Sequence, residues 1–135
     1  MAVVLKSETL AIAADNDVVL VRQAVRLRAV ELGFGLVDQT KTITAASELA
    51  RNTLVHGGGG HVLIEVLQDG PRRGVRMAFV DQGPGIADVE LALLDGYTTG
   101  NGLGLGLSGS KRLVGDFAIE SRVGEGTRVT ITKWK

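Results

Sequence analysis

Val80-Asp81-Gln82-Gly83-Pro84-Gly85-Ile86 lies near the middle of the chain, where an apolar run stops abruptly on an aspartate and two glycines. The run before it, Gly74 to Val80, places Val75, Met77 and Phe79 on one face, the alternation of a half-buried strand. Gly83 and Gly85 end that strand, since glycine reaches turn conformations closed to other residues. Just upstream, His61 to Leu67 is β-branched and alternating, and Asp69-Gly70-Pro71 is a turn between the two, so the pair reads as a hairpin.

Further upstream the period changes to that of helices. The spacing predicts one from about Val37 to Val55, stopped by the glycine run Gly57 to Gly60. Before it, Asp15, Asn16 and Asp17 offer N-caps for a helix to about Leu32, with Val18, Val21, Val25 and Leu32 as its apolar stripe and Gly33 as its stop. Val3 to Ala13 alternates loosely as a first strand. Downstream, Val89 to Leu94 reads as a short helix and Gly96 to Gly106 as a loop, followed by a helix from Leu107 to Val114. Strands Phe117 to Val123 and Thr127 to Lys133, joined at Gly124-Glu125-Gly126, close the chain. Hairpins impose mostly antiparallel pairing, and the helices must bury their stripes on one face of the sheet. The expected fold is α+β, a two-layer sandwich, formed by residues 1–135 as a single domain.

Composition narrows the function. At 135 residues with 44% apolar and 22% charged side chains, the chain is of the folded globular class. Fifteen basic residues balance fifteen acidic ones, which argues against nucleic acid or an anionic membrane as partner. Without cysteine there is neither a disulfide framework nor a thiolate metal site, and two histidines are too few for a typical zinc site. No apolar run has the ~20 residues of a membrane span and no secretory signal is apparent, so a cytoplasmic location is expected. The nineteen glycines are clustered rather than periodic, which marks places of tight turning or close backbone approach.

Three clusters carry polar residues suited to a nucleotide. In the second helix, Glu48 and Asn52 are four residues apart and share a face turned away from the stripe Ile43, Ala46, Ala50 and Leu54. Such a face is ordinarily a solvated surface, but a carboxylate and an amide oxygen one turn apart also suit a magnesium ion carrying phosphates. Asp81, followed by Gly83 and Gly85, is partly a turn signal; it also offers a carboxylate to an exocyclic amino group beside a backbone that a base can approach. Thr98-Thr99-Gly100-Asn101-Gly102-Leu103-Gly104-Leu105-Gly106-Leu107-Ser108 leads glycines into a helix start, where free amides attract anions. Gly104-x-Gly106-x-x-Gly109 follows no strand of a βαβ unit, and Gly109-Ser110-Lys111-Arg112 misplaces the lysine of a P-loop, so both readings are rejected.

In order and spacing these segments resemble the GHKL ATP-binding superfamily. Glu48-Leu49-Ala50-Arg51-Asn52 is similar to its N box, Asp81-Gln82-Gly83-Pro84-Gly85 to its first glycine box, Gly102-Leu103-Gly104-Leu105-Gly106 to its second, and Gly126-Thr127 to the motif whose threonine supports the adenine site. The resemblance spans nearly the whole chain and implies the Bergerat ATP-binding fold, with ATP and Mg²⁺ as cofactors. It implies that Asn52 binds magnesium, that Asp81 binds adenine with Gly83, Gly85 and Thr127 beside it, and that Gly102, Gly104 and Gly106 cradle phosphate beneath a lid. Glu48 is implied as the catalytic base. Of the branches, the free-standing serine/threonine switch kinases fit best, those of the stressosome above all. STAS-domain proteins are then the substrates and a phosphatase the released kinase's partner. The alternative is an anti-sigma factor that sequesters a sigma factor and phosphorylates its antagonist.

Overall fold

A computed structural model describes residues 2–86 and 106–135. The elements are β1 (Val3–Ile12), α1 (Asp15–Glu31), α2 (Leu36–Val55), β2 (Gly60–Asp69), β3 (Arg72–Asp81), α3 (Gly106–Leu113), β4 (Asp116–Arg122) and β5 (Gly126–Trp134). The helix expected at Val89 to Leu94 lies outside the described residues, as does the loop from Gly96 up to α3.

The strands form one sheet in the order β1-β2-β3-β5-β4, and every neighbouring pair is antiparallel. One face is covered by helices, as the two-layer reading expects. Ile12, Val62, Ile64, Val75, Met77, Phe79, Val129 and Ile131 are buried there, against Val18, Val21, Val25 and Ala29 of α1 and Ile43, Ala46, Leu49 and Ala50 of α2. Truncating a core aromatic such as Phe79, 2% exposed, would cost about 3–5 kcal/mol. The open face is organised differently. Arg76 bonds Glu65 (2.9 Å), while the Trp134 ring lies under the Arg72 guanidinium at 4.1 Å and donates its indole N–H to Asp116 Oδ2 (3.0 Å).

Two helix termini show local chemistry at work. The N-cap of α1 is Ala14, not one of the three polar residues that follow it. An alanine has no acceptor to offer, and Asp17 supplies it from the other side. Its Oδ2 accepts from the backbone N–H of Ala13 (2.8 Å) and Ala14 (3.0 Å), the reaching-back half of a capping box. At the other end Gly33 adopts φ 79°, with Gly33 N–H bonded to Val30 O and Phe34 N–H to Ala29 O (both 3.0 Å). That is a Schellman stop, with Phe34 tucked into the core at 4% exposure.

Glu8 lies on the α1-facing side of β1, between Lys6 and Leu10 in the alternation. Arg28 meets it through Nε (3.2 Å) and bonds Glu31 through Nη1 (2.8 Å), while Lys6 Nζ lies 3.5 Å from Glu31. This cluster ties the edge strand to the last turns of α1.

Candidate functional site

The sheet alternates in period two, so Asp81 follows Val75, Met77 and Phe79 on the helix-covered face. Its register partners there are Gly60 on β2 and Thr127 on β5, and Thr127 in turn faces Ser121 on β4. The two residues read as an adenine site from separate motifs, Asp81 and Thr127, are thus adjacent across one strand pair. Asp81 is half-buried, and its Oδ1 accepts from the Gly83 N–H (2.9 Å), which leaves Oδ2 for a second donor.

Residues 83–86 are pinned to the β4–β5 turn. Gly124 N–H donates to Pro84 O (2.8 Å) and Ile86 N–H to Ser121 Oγ (2.7 Å). Gly85 adopts φ 75°, and a Cβ there would collide with the carbonyl of Arg122, so no other residue fits. Ser121 was not among the residues expected from the sequence. The available signal was a polar residue at the third inward position of a strand whose first two are Phe117 and Ile119.

Glu48 and Asn52 lie on α2 as predicted, one turn apart, and both are half-buried rather than solvated. The buried set of α2 is wider than the expected stripe, adding Thr42, Ala45, Leu49 and Thr53, because α2 packs on α1 and α3 as well as on the sheet. Leu54, expected in the stripe, is only half-buried. The Asn52 carbonyl accepts from both His56 N–H (3.0 Å) and Gly57 N–H (3.1 Å), which fixes where the chain leaves the helix. Gly57 was read only as part of a helix stop. A single glycine suffices for that, and the surplus in Gly57-Gly58-Gly59-Gly60 was the signal that something else needs the space.

Gly106 opens α3, which packs against α2. Gly102 and Gly104 lie outside the described residues. No group of three or more His, Asp or Glu side chains able to hold a metal occurs among the described residues. The Asn52 amide nonetheless offers a hard oxygen of the kind magnesium takes, with water and phosphate able to complete the shell. Among the described residues no helix is long and apolar enough to cross a membrane.

Residues 37–135 match the family described as histidine kinase-, DNA gyrase B-, and HSP90-like ATPase. The chain is 46% identical over 123 residues to the serine/threonine-protein kinase RsbT of Bacillus subtilis, covering 91% of this chain and 92% of that one. It is 30% identical over 97 residues to an anti-sigma F factor of a Thermoanaerobacter species, covering 67% of this chain and 66% of that one. Its fold is similar to the RsbU and RsbW domains of Rv1364c from Mycobacterium tuberculosis, with a TM-score of 0.66 at 23% identity over 95% of this chain and 32% of the other. It is also similar to a chain of the SiaB-SiaC complex from Pseudomonas aeruginosa, with a TM-score of 0.57 at 12% identity over 98% of this chain and 91% of the other.

Proposed function

The chain belongs to the histidine kinase-, DNA gyrase B- and HSP90-like ATPase family, and from that premise we propose that it is an ATP-dependent serine/threonine protein kinase of the partner-switching kind, acting in the cytoplasm on STAS-domain antagonists of a stressosome. The observation that carries the reading is the pairing of Asp81 with Thr127 at the end of the sheet, with Asp81 oriented by Gly83. The 46% identity to a named serine/threonine kinase supports the choice of branch.

In this reading the free Oδ2 of Asp81 accepts from the exocyclic amino group of adenine, and Gly83 and Gly85 keep side chains out of the base's way. Asn52 would hold magnesium through its side-chain oxygen, and the ion would there neutralise phosphate charge. Gly102, Gly104 and Gly106 are assigned to the phosphates, which glycine amides would bind. Glu48 takes the proton of the incoming serine or threonine hydroxyl as its oxygen bonds to the γ-phosphorus and the bond to the β-phosphate oxygen breaks, giving ADP and a phosphoprotein. Phosphoryl transfer depends more on positioning than on a base, so the assignments of Asn52 and Asp81 rank ahead of that of Glu48.

Two experiments test the proposal. Titration calorimetry with ATP and GTP, with and without magnesium, should show adenine preference and magnesium dependence; equal binding of the two bases overturns the site. Capture of partners from the host lysate followed by mass spectrometry should return STAS proteins and a phosphatase. A sigma factor instead would select the second reading, an anti-sigma kinase, which the 30% identity to anti-sigma F factors favours.

A further inference from the structure

Gly57 follows the end of α2 and has an ordinary backbone there, unlike Gly58 and Gly59, whose φ values are 73° and 104°. An alanine could adopt that backbone. Space is what forbids it. A Cβ on Gly57 would lie 2.5 Å from Asp81 Cβ and 2.6 Å from Asp81 Oδ2, and would strike Cγ as well. From the other side, a Cβ on Gly83 would lie 2.7 Å from both the Cα and the carbonyl oxygen of Gly57. Gly57 is therefore held between the carboxylate of Asp81 and the backbone of the residue that bonds it.

Asp81 cannot retreat. A Cβ on Gly60 would strike the Val80 carbonyl, and one on Gly126 would strike the carbonyl of Asp81 itself, so backbone closes in from both neighbouring strands. Rotation about χ1 could carry Cγ and Oδ2 clear of an added methyl group. It leaves Asp81 Cβ where it is, because the sheet register fixes that atom. The far side of Gly57 is equally fixed, since its N–H is bonded to the Asn52 carbonyl (3.1 Å).

We propose that Gly57 is a positioning residue: its missing side chain sets the distance between the end of α2 and the Asp81 carboxylate, and so joins the geometry of Asn52 to the reading of the base. This rests on the assignment of Asp81 to adenine. Where that carboxylate stands is decided by Gly57 on one side and the Gly83 amide on the other. An added methyl group forces the carboxylate and the end of α2 apart, and so takes the carboxylate out of its place beside the base.

The test uses Gly57→Ala in the full chain, with Gly35→Ala as control, since a Cβ at Gly35 meets nothing within 4 Å. Gly57→Ala should move the Gly83 amide resonance in the nucleotide-free protein, lower ATP affinity by about tenfold to a hundredfold, and lower the ATP-over-GTP preference. On an Asp81→Asn background the same substitution should cost little more, because the two act through one group. Additive losses, an unmoved Gly83 amide, or parental ATP affinity in Gly57→Ala each overturn the proposal. If Asp81→Asn alone leaves ATP binding intact, the adenine assignment fails and the role in base reading falls with it, whereas the Gly83 resonance still shows whether Gly57 places the carboxylate. Should Gly57→Ala give no cooperative unfolding transition, Asp81→Gly in the same chain should restore one by removing the opposing Cβ; failure to restore it also overturns the proposal.

Discussion

The hydroxyl oxygens of Ser121 and Thr127 lie 2.9 Å apart, and the partners of Ser121 decide which of them donates. Ser121 gives its one proton to the Gly126 carbonyl (3.1 Å) and accepts from the Ile86 N–H (2.7 Å), so Thr127 is the donor between them. Thr127 then keeps its lone pairs as acceptors beside Asp81. Ser121→Ala should leave the Ile86 amide without its acceptor and destabilise the fold by about 1 kcal/mol. Thr127→Val should weaken ATP binding, and the double variant should lose less than the sum of the two. Urea denaturation and calorimetry on the four proteins measure both effects.

Asp81→Asn preserves the size of the side chain and an oxygen for the Gly83 N–H. In the proposed site the remaining NH₂ then meets the adenine amino group donor to donor. ATP affinity should fall about five- to 150-fold, the equivalent of ~1–3 kcal/mol, with little change in the unfolding midpoint. A parental ATP affinity in calorimetry would remove Asp81 from the base site.

Glu48→Gln and Asn52→Asp separate chemistry from binding. Glu48→Gln keeps size and helix propensity but removes the proposed base, so ATP should bind nearly as in the parent while transfer to a STAS substrate falls by ~10²–10⁴-fold. Asn52→Asp adds an anion at the proposed magnesium-phosphate site and should disturb both. Single-turnover transfer of labelled phosphate keeps product release from masking the step. Parental transfer by Glu48→Gln would leave the reaction to positioning alone.

The cluster on α1 and β1 predicts a pH effect with a definite sign. Burial pushes the Glu31 carboxyl up, but the Arg28 guanidinium bonded to it, with Lys6 nearby, outweighs this and holds it below its usual 4.5. As pH falls the unfolded chain therefore takes up its proton before the folded one does. The stabilisation is present above about 4.5 and is lost as pH drops through the lower folded value. Urea midpoints followed from neutral pH into acid should fall less steeply in Glu31→Gln than in the parent, and added salt should shrink the difference.

Elements set by neighbours in the chain were legible in the sequence. The alternation of Val75, Met77 and Phe79 defined β3, and Gly33 ended α1 through a backbone angle that glycine supplies cheaply. Glu48 and Asn52 share a helix face by spacing alone. Contacts set by distant neighbours were not legible. Nothing local says that β5 pairs with β3, that Gly57 abuts a side chain 24 positions later, or that Ser121 receives the amide of Ile86. The N-cap of α1 was misplaced because three acidic or amide residues in a row compete for the role, and the backbone uses the third to serve the two alanines before it.

The position of β5 also has a consequence in time. It is the last strand described in the chain, yet it lies inside the sheet, between β3 and β4. Asp81 leaves the ribosome 45 residues before Gly126 (126 − 81), an interval of about 2–9 s at ~5–20 residues per second. Throughout it, β3 lacks the strand that fills its outer edge in the finished sheet, and the aspartate has no Thr127 beside it. The nascent chain is exposed to a stray strand during that wait, and nucleotide cannot shield it, because the site that would bind nucleotide is finished by the strand still being made.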